Sequence, residues 1–330
     1  MIGRRSLVSG LVTAAAVRRA SAQQRDRPRV VGIAFAAGSV ADLAGPNPVN
    51  PGVRSFVHGL RELGWVEGRN LIIERRTAED RPERAPAVIA ELIGSGAEVI
   101  VLSATSWLTE AARKTTSTVP LVAFFVGVDP ATLGHVPSLA RPGGNLTGVT
   151  GTSSGKELTR KRMELLKELA PRTTRIAWLG TESQMRLHPP DSGPAGTRIV
   201  HAVAETFDQF DQAFASILRE GCDALLIGGT TVHFVQRSRI ITFARQHRLP
   251  ASYPYREAVA DGGLMSYGPN LLRLWRQMAG LVDRILRGAN PGDLPIELPD
   301  RFDLAINRMT AQTLGLTIPP SLEVAAEVIE

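Results

Sequence analysis

Residues 92–105 and 217–230 are two copies of one pattern. Leu92-Ile93-Gly94-Ser95-Gly96-Ala97-Glu98-Val99-Ile100-Val101-Leu102-Ser103-Ala104-Thr105 lies without a gap on Ile217-Leu218-Arg219-Glu220-Gly221-Cys222-Asp223-Ala224-Leu225-Leu226-Ile227-Gly228-Gly229-Thr230. In each copy a helix end is stopped by Gly, an acidic residue follows, and an apolar strand closes on small polar residues. A helical pattern and a Pro-led strand come next, Pro120-Leu121-Val122 in one copy and Pro250-Ala251-Ser252 in the other. Repetition of a βαβ unit predicts two similar lobes. The small polar loops then fall at the carboxyl ends of parallel strands, where open α/β sheets take their ligands.

A chain of 330 residues exceeds the usual single core and favours two domains. The 43% hydrophobic content, with 31 Gly and 22 Pro, is that of an ordinary globular α/β protein. Aromatic residues make up only 5%, so each Trp or Tyr near a loop carries weight.

The basic net charge comes largely from one end. Arg4, Arg5, Arg18 and Arg19 lie in the first 22 residues, which hold no Asp or Glu; without these four of the 38 basic residues, 34 remain against 32 acidic ones. No cluster of Lys and Arg interleaved with aromatics follows, so nucleic acid is not an expected partner. Arg160-Lys161-Arg162 sits in a helical pattern and reads as a solvated helix face. The N-terminus itself has the parts of an export signal: Arg4-Arg5, a mostly apolar Leu7 to Val17, and Ala20-Ser21-Ala22 before Gln23. Its apolar stretch is too short to span a bilayer, which takes about 20 residues. Arg-Arg-Ser-Leu-Val partly matches a twin-arginine signal, and the general secretory route stays open.

Enzymatic motifs are missing. No G-x-G-x-x-G follows the first strand and no phosphate-binding loop of the G-x-x-x-x-G-K-[ST] type occurs. The six His (58, 135, 188, 201, 233, 247) show no metal-ligand spacing, so no metal or cofactor is expected. Gly151-Thr152-Ser153-Ser154-Gly155 lacks the strand–elbow–helix setting of a nucleophile and reads as a loop at a cleft rim. Cys222, the one cysteine, reads as a small buried hydrophobe.

Strand and helix signals alternate along the rest. Strands are predicted at Arg29 to Phe35, Leu71 to Ile73, Glu98 to Leu102 and Leu121 to Val126, then at 175–179, 198–203, 223–227 and 250–253. Lys156 to Leu169 forms a long amphipathic helix, and 271–287 an apolar helix that returns to the first lobe. Crossings between lobes are expected near 146–152, 262–269 and 296–304. Pro189, Pro190 and Pro194 exclude a regular helix across 187–194.

The segments 59–68 (GLRELGWVEG), 138–148 (SLARPGGNLTG), 262–269 (GGLMSYGP) and 314–320 (LGLTIPP) resemble one family. It is the ABC-transporter substrate-binding family associated with tryptophan and tyrosine transport, and the likeness covers nearly the whole chain after the leader. The resemblance implies a type I periplasmic-binding-protein fold: two Rossmann-like lobes joined by hinge strands and closing on a small molecule. It also implies membrane permease subunits as partners, a monomeric state, a periplasmic location and no enzymatic activity. The chain departs from the family at 187–196, where relatives carry a longer regular helix. On this reading 1–22 is the export signal, 29–148 with 265–292 the first lobe, and 149–264 with 293–330 the second. A ligand-sensing protein of the same fold, or an exported enzyme of another type, are the alternatives.

Candidate ligand contacts follow from strand ends and helix starts. Ser39 closes the loop after the first strand. Ser103, Thr105 and Ser106 precede a helix in the first lobe, as Thr230 does in the second. A helix N-terminus offers unpaired N–H groups to a carboxylate, and the same hydroxyls can instead cap their own helices. Asp129 can take an ammonium group or cap the helix near Pro130. Thr152 lies in the hinge. Trp107, Tyr253, Tyr255 and Tyr267 offer aromatic walls, about half of them facing the cleft. Arg256 pairs either with a ligand anion or with a surface carboxylate. The ligand class this suggests is an amino acid or an aromatic acid.

The leader generates a direct prediction. Mass spectrometry of the periplasmic protein should find Gln23, or a residue within a few positions, at the N-terminus; intact chain recovered only from the cytoplasm would refute export.

Overall fold

The computed structural model describes residues 27–330 apart from 104, 126–129, 152–154, 188–192 and 300. The expected leader, Asp129, Thr152 and most of the irregular 187–194 segment therefore lie outside the described residues.

The chain forms two sheets with the same winding. The first has strands β1 (Arg29–Phe35), β2 (Leu71–Thr77), β3 (Val99–Leu102), β4 (Leu121–Phe125) and β5 (Leu146–Thr150). Their order is β2-β1-β3-β4-β5, all parallel. The second has β6 (Arg175–Gly180), β7 (Arg198–Val203), β8 (Ala224–Ile227), β9 (Ala251–Tyr253) and β10 (Met265–Pro269). These run β7-β6-β8-β9-β10, the same order and again parallel, and β11 (Phe302–Asn307) and β12 (Glu327–Ile329) extend that edge. Among the described residues only the β10–β11 pair is antiparallel. The gapless alignment places Val99–Leu102 on Ala224–Ile227, so the repeated segment forms the third strand of each lobe.

Helices cover both faces of each sheet, as parallel strands buried on two sides require. In the first lobe α1 (Val40–Leu43) is a single turn, and α2 (Pro51–Glu62) packs on one face. The other face is covered by α3 (Ala85–Gly94) and α4 (Ser106–Thr115). Alternation along β1 divides the layers: Val31, Ile33 and Phe35 join α2, while Ala34 faces Val88, Ile89 and Leu92 of α3. In the second lobe α5 (Gly155–Leu169) covers one face. The short α6 (Glu182–Leu187) follows β6. The opposite face takes α7 (Phe210–Arg219) and α9 (Arg237–Gln246), while the one-turn α8 (Thr231–Val235) and α10 (Arg256–Ala260) follow β8 and β9.

The apolar helix after β10 does return. This α11 (Leu271–Leu286) lies along α2, and Trp275 stacks on Phe35 at 5.6 Å with Phe56 and Phe124 edge-on to it. From β11 onward the chain, including α12 (Arg308–Thr313) and α13 (Pro320–Ala325), stays with the second sheet.

Two expected boundaries move. The sequence pattern puts residues 265–269 in the first lobe, but β10 pairs with β9 and β11 of the second sheet, and the crossing falls at Asn270. The same pattern puts residues 293–297 in the second lobe. They run along β5 instead: Glu297 N–H donates to Gly148 O and Thr150 N–H to Glu297 O, each at 2.9 Å, and Ile296 is in the first lobe's core. The third crossing thus falls between Glu297 and Phe302. Membership of a sheet is fixed by its ladder, which local hydrophobic pattern does not reveal.

β5 and β10, which end the parallel run in each lobe, carry glycines at matched close approaches. A Cβ at Gly148 would lie 1.9 Å from Ala123 O, and one at Gly268 2.0 Å from Pro254 O. Because the neighbours are backbone atoms, they cannot swing away. Gly148→Ala and Gly268→Ala should each destabilise the protein by about 1–3 kcal/mol in denaturant titrations, the usual range for overpacking; unchanged midpoints would show that the strands separate freely.

Candidate functional site

The strand order places a gap at one spot in each lobe. Winding reverses between β1 and β3, and again between β6 and β8, so connections leave in opposite directions and the carboxyl ends stand open. At those ends lie Ala36–Ser39, Ser103 and Thr105 in the first lobe, and Thr181–Gln184 with Gly228–Thr230 in the second. The two lobes face each other across these loops.

Two neighbouring cavities occupy the interface. The larger, about 360 Å3, is lined from the first lobe by Phe35, Ser39, Ser103, Phe124 and Trp275, and from the second by Gly229, Thr230, Phe234, Arg237 and Tyr255. That volume is within the range of small-molecule sites. The smaller, about 120 Å3, lies between Thr105, Ser106 and Trp107 on one side and Thr181, Ser183, Gln184 and Glu205 on the other. Thr230 borders both. One compartment is thus aromatic and the other rich in hydroxyls.

Each hydroxyl has a distinct local task. Ser39 caps α1, its Oγ accepting the Asp42 N–H at 3.2 Å. Ser103 is buried and accepts the Ala36 N–H at 2.9 Å, tying the end of β3 to the end of β1 at the reversal point. Thr230 caps the one-turn α8, accepting the His233 N–H at 3.4 Å while its Oγ1 lies 2.6 Å from His233 Nδ1. Thr105 differs. It occupies the N-cap position of the ten-residue α4 but makes no capping bond, and its sealed Oγ1 has no partner among the described residues. The first N–H groups of α4 are left without intrahelical acceptors.

Of the four aromatic candidates, Tyr255 and Trp107 line these cavities. Tyr255 donates its O–H to Gly229 O at 3.2 Å and meets Phe234 edge-on; burial pushes its phenol pKa up. Tyr253 does not reach the cleft: alternation along β9 turns it into the second lobe's core, where it is 1% exposed. Tyr267 packs against Phe302 at 5.9 Å within the second sheet and lines neither cavity. Of the two partners open to Arg256, a surface carboxylate is the one found. Its guanidinium grips Glu327 two-pronged, with one bond at 3.1 Å and one at 2.5 Å, and joins α10 to β12. Cys222 is buried as expected, and desolvation raises its thiol pKa to about 11, which keeps it protonated.

Several lining residues were not singled out from the sequence. Phe35 and Phe124 sit in continuous apolar strand runs, where nothing separates a cavity wall from core. Trp275 was hidden within an apolar helix, and Phe234 and Arg237 flank a helix break at Gln236. Arg237 stacks over Phe234 at 4.6 Å and pairs with Asp261 at 2.7 Å. Desolvation and the nearby Asp208 charge of the opposite lobe raise the Asp80 carboxyl pKa.

Two lobes of the same parallel winding, crossed by hinge segments and enclosing cavities at their facing switch points, define a type I periplasmic binding protein. Residues 49–329 match the family model for ABC transporter substrate binding proteins, and the chain belongs to that family. It is 23% identical over 270 residues to a tyrosine-binding protein of Clostridioides difficile strain R20291, spanning 80% of this chain and 76% of that one. A conserved domain protein from Vibrio cholerae superposes with a TM-score of 0.80 at 25% identity, over 92% of this chain and all of that one. A Streptococcus domain solved with L-Trp superposes equally well, at 21% identity and the same coverage.

His233 makes the site sensitive to acid. It is 1% exposed, its Nε2 has no partner among the described residues, and burial lowers its pKa to about 4. The unfolded chain therefore takes up this proton near pH 6.5 and the folded chain only near 4. Stability from this group is complete above about pH 6.5 and is lost as pH falls toward 4, by roughly 3 kcal/mol. Denaturant titrations of wild type and His233→Gln across that interval should diverge on the acid side; parallel curves would show that His233 is accessible to protons.

Proposed function

We propose that this chain is the periplasmic ligand-binding component of an ABC importer, exported by its N-terminal signal, and that it hands a small carboxylate-bearing molecule to membrane permease subunits. It acts by binding and release as a monomer, without a cofactor, a metal or catalysis. The observation that carries the reading is the uncapped N-terminus of α4: Thr105 leaves its hydroxyl unpaired beside a cavity that the second lobe closes with Thr181, Gln184 and Thr230. A carboxylate placed there meets unpaired N–H groups and the positive end of the helix dipole. The larger compartment offers Phe35, Phe124, Trp275 and Tyr255 to a planar or aromatic group. The tyrosine-binding relative and the L-Trp complex support an aromatic amino acid as the occupant. Asp129 and Thr152 complete the proposed contact set, Asp129 as the partner of a ligand ammonium.

Isothermal titration calorimetry with L-tyrosine, L-tryptophan, benzoate and L-leucine tests this. An aromatic carboxylate should bind and also raise the melting temperature, since it stabilises only the folded state. Thr105→Ala should weaken it about tenfold, the effect of one hydrogen bond to a charged group. Small-angle scattering should show compaction on binding if the unliganded lobes open. No heat from any of the four, or full affinity in folded Thr105→Ala, would refute the proposed site.

A further inference from the structure

Trp275 is 4% exposed, yet its indole N–H donates to no acceptor among the described residues. Nor is its Nε1 sealed by neighbouring atoms, as Thr105 Oγ1 is; the ring lines the larger cavity and its nitrogen edge opens there. A buried indole usually finds a partner for its N–H, because an unmade hydrogen bond costs stability. A phenylalanine ring would stack on Phe35 as well as the indole does. Packing therefore explains the ring but not its nitrogen.

The start of α2 is shaped around this edge. A Cβ at Gly52 would lie 2.4 Å from Trp275 Nε1, so the missing side chain is what lets the indole edge reach the backbone. Gly52 is buried, lines the same cavity and is the second residue of the twelve-residue helix, where its own N–H has no intrahelical acceptor. The cap is made further in, Asn50 Oδ1 accepting the Val53 N–H at 3.1 Å, and Pro51 has no N–H to offer. Two donors, one from an indole and one from a backbone amide, thus stand side by side on the cavity wall.

An acceptor lies beside them. Asp42 lines this cavity too, and its backbone O accepts the Asn50 N–H at 2.8 Å, which holds α1 against the start of α2. Its carboxylate is exposed, accepts the Ser39 hydroxyl at 2.9 Å and forms no ion pair among the described residues. Across the cleft Arg237 is not a free cation, since Asp261 takes its Nε at 2.7 Å. A second anion at this end would be repelled by Asp42, and an ammonium would meet the two donors. A neutral hydroxyl satisfies all three groups, because its oxygen accepts while its proton donates.

The geometry points to a subsite for a ring hydroxyl at the α2 end of the larger cavity: Trp275 Nε1–H and Gly52 N–H donate to the oxygen, and the Asp42 carboxylate accepts its proton. The subsite selects a phenol over an unsubstituted aromatic ring. A ring without the hydroxyl would dry both donors and leave them unpaired, which is the larger part of the discrimination. This rests on the proposed binding of an aromatic carboxylate and names the ring substituent that such a ligand carries.

Calorimetry with L-tyrosine and L-phenylalanine on wild type, Trp275→Phe and Asp42→Ala tests the subsite. Wild type should prefer L-tyrosine by about tenfold or more, as polar sites reject an analogue that lacks their partner. Trp275→Phe keeps a ring against Phe35 and removes one donor. Asp42→Ala removes the acceptor at an exposed position and leaves the Ser39 cap, which uses the residue-42 N–H. In each variant the preference should fall about fivefold, the worth of one hydrogen bond. The ratio of two affinities within one variant cancels any general loss of binding from a loosened fold, and if Trp275→Phe does not fold, Asp42→Ala decides alone. Equal binding of the two amino acids to wild type would overturn the inference and leave the proposed function standing. A preference that survives intact in folded Trp275→Phe or in Asp42→Ala would place recognition of the hydroxyl elsewhere and overturn it as well. A wild-type protein that binds no aromatic carboxylate overturns the proposed function and the inference together.

Discussion

A reversal of winding direction, built once into each parallel sheet, is the constraint on which this molecule depends. Between β1 and β3, and again between β6 and β8, the connecting helices leave on opposite faces, so no segment covers the carboxyl ends between them. Short polar loops fill the opening because long side chains would block it. Ser103 holds the first opening together by its bond to Ala36, and Gly228 fits the second because a Cβ there would meet the Gln184 side chain at 2.6 Å. Once two such openings face one another, a cleft results from backbone topology alone. The side chains then divide it into an aromatic and a hydroxyl-lined part.

Much of the architecture was readable because hydrophobic period reports burial directly. The repeated Gly–acid–apolar unit marked the third strand of each lobe, and the apolar stripe of 271–287 marked a helix with one face in a core. What escaped was set by relations between distant segments. β10 has the composition of a crossing segment, and only its ladder to β9 and β11 assigns it to the second sheet. Tyr253 and Tyr255 are two apart in sequence, yet β9 ends at Tyr253 and the chain turns before Tyr255. That change of direction sends the first ring into the core and the second into the cleft.

The candidate contacts divide along the same line. Hydroxyls at strand ends could be placed from sequence, but whether each caps a helix is a matter of ångströms. Ser39 and Thr230 cap; Thr105 does not. The arginine run departs from a solvated face for a simpler reason. Charge predicts solvent exposure on average, whereas a helix lying on a sheet exposes only part of its circumference, and Arg162 falls on the wrong side of it.

The path of α11 has a consequence for how the chain acquires its structure. Trp65 bonds to Asp283, 218 residues later, and Ser55 bonds to Leu272 across 217 residues. The first lobe's sheet, emerging earliest from a translocon or a ribosome, lacks the cover that Trp275 gives Phe35 and Phe124 until the five parallel strands of the second sheet have followed. During that interval an apolar face stands open to wrong partners, and contacts between such remote segments form slowly. The lobe that begins first is thus completed only after most of the other has been made.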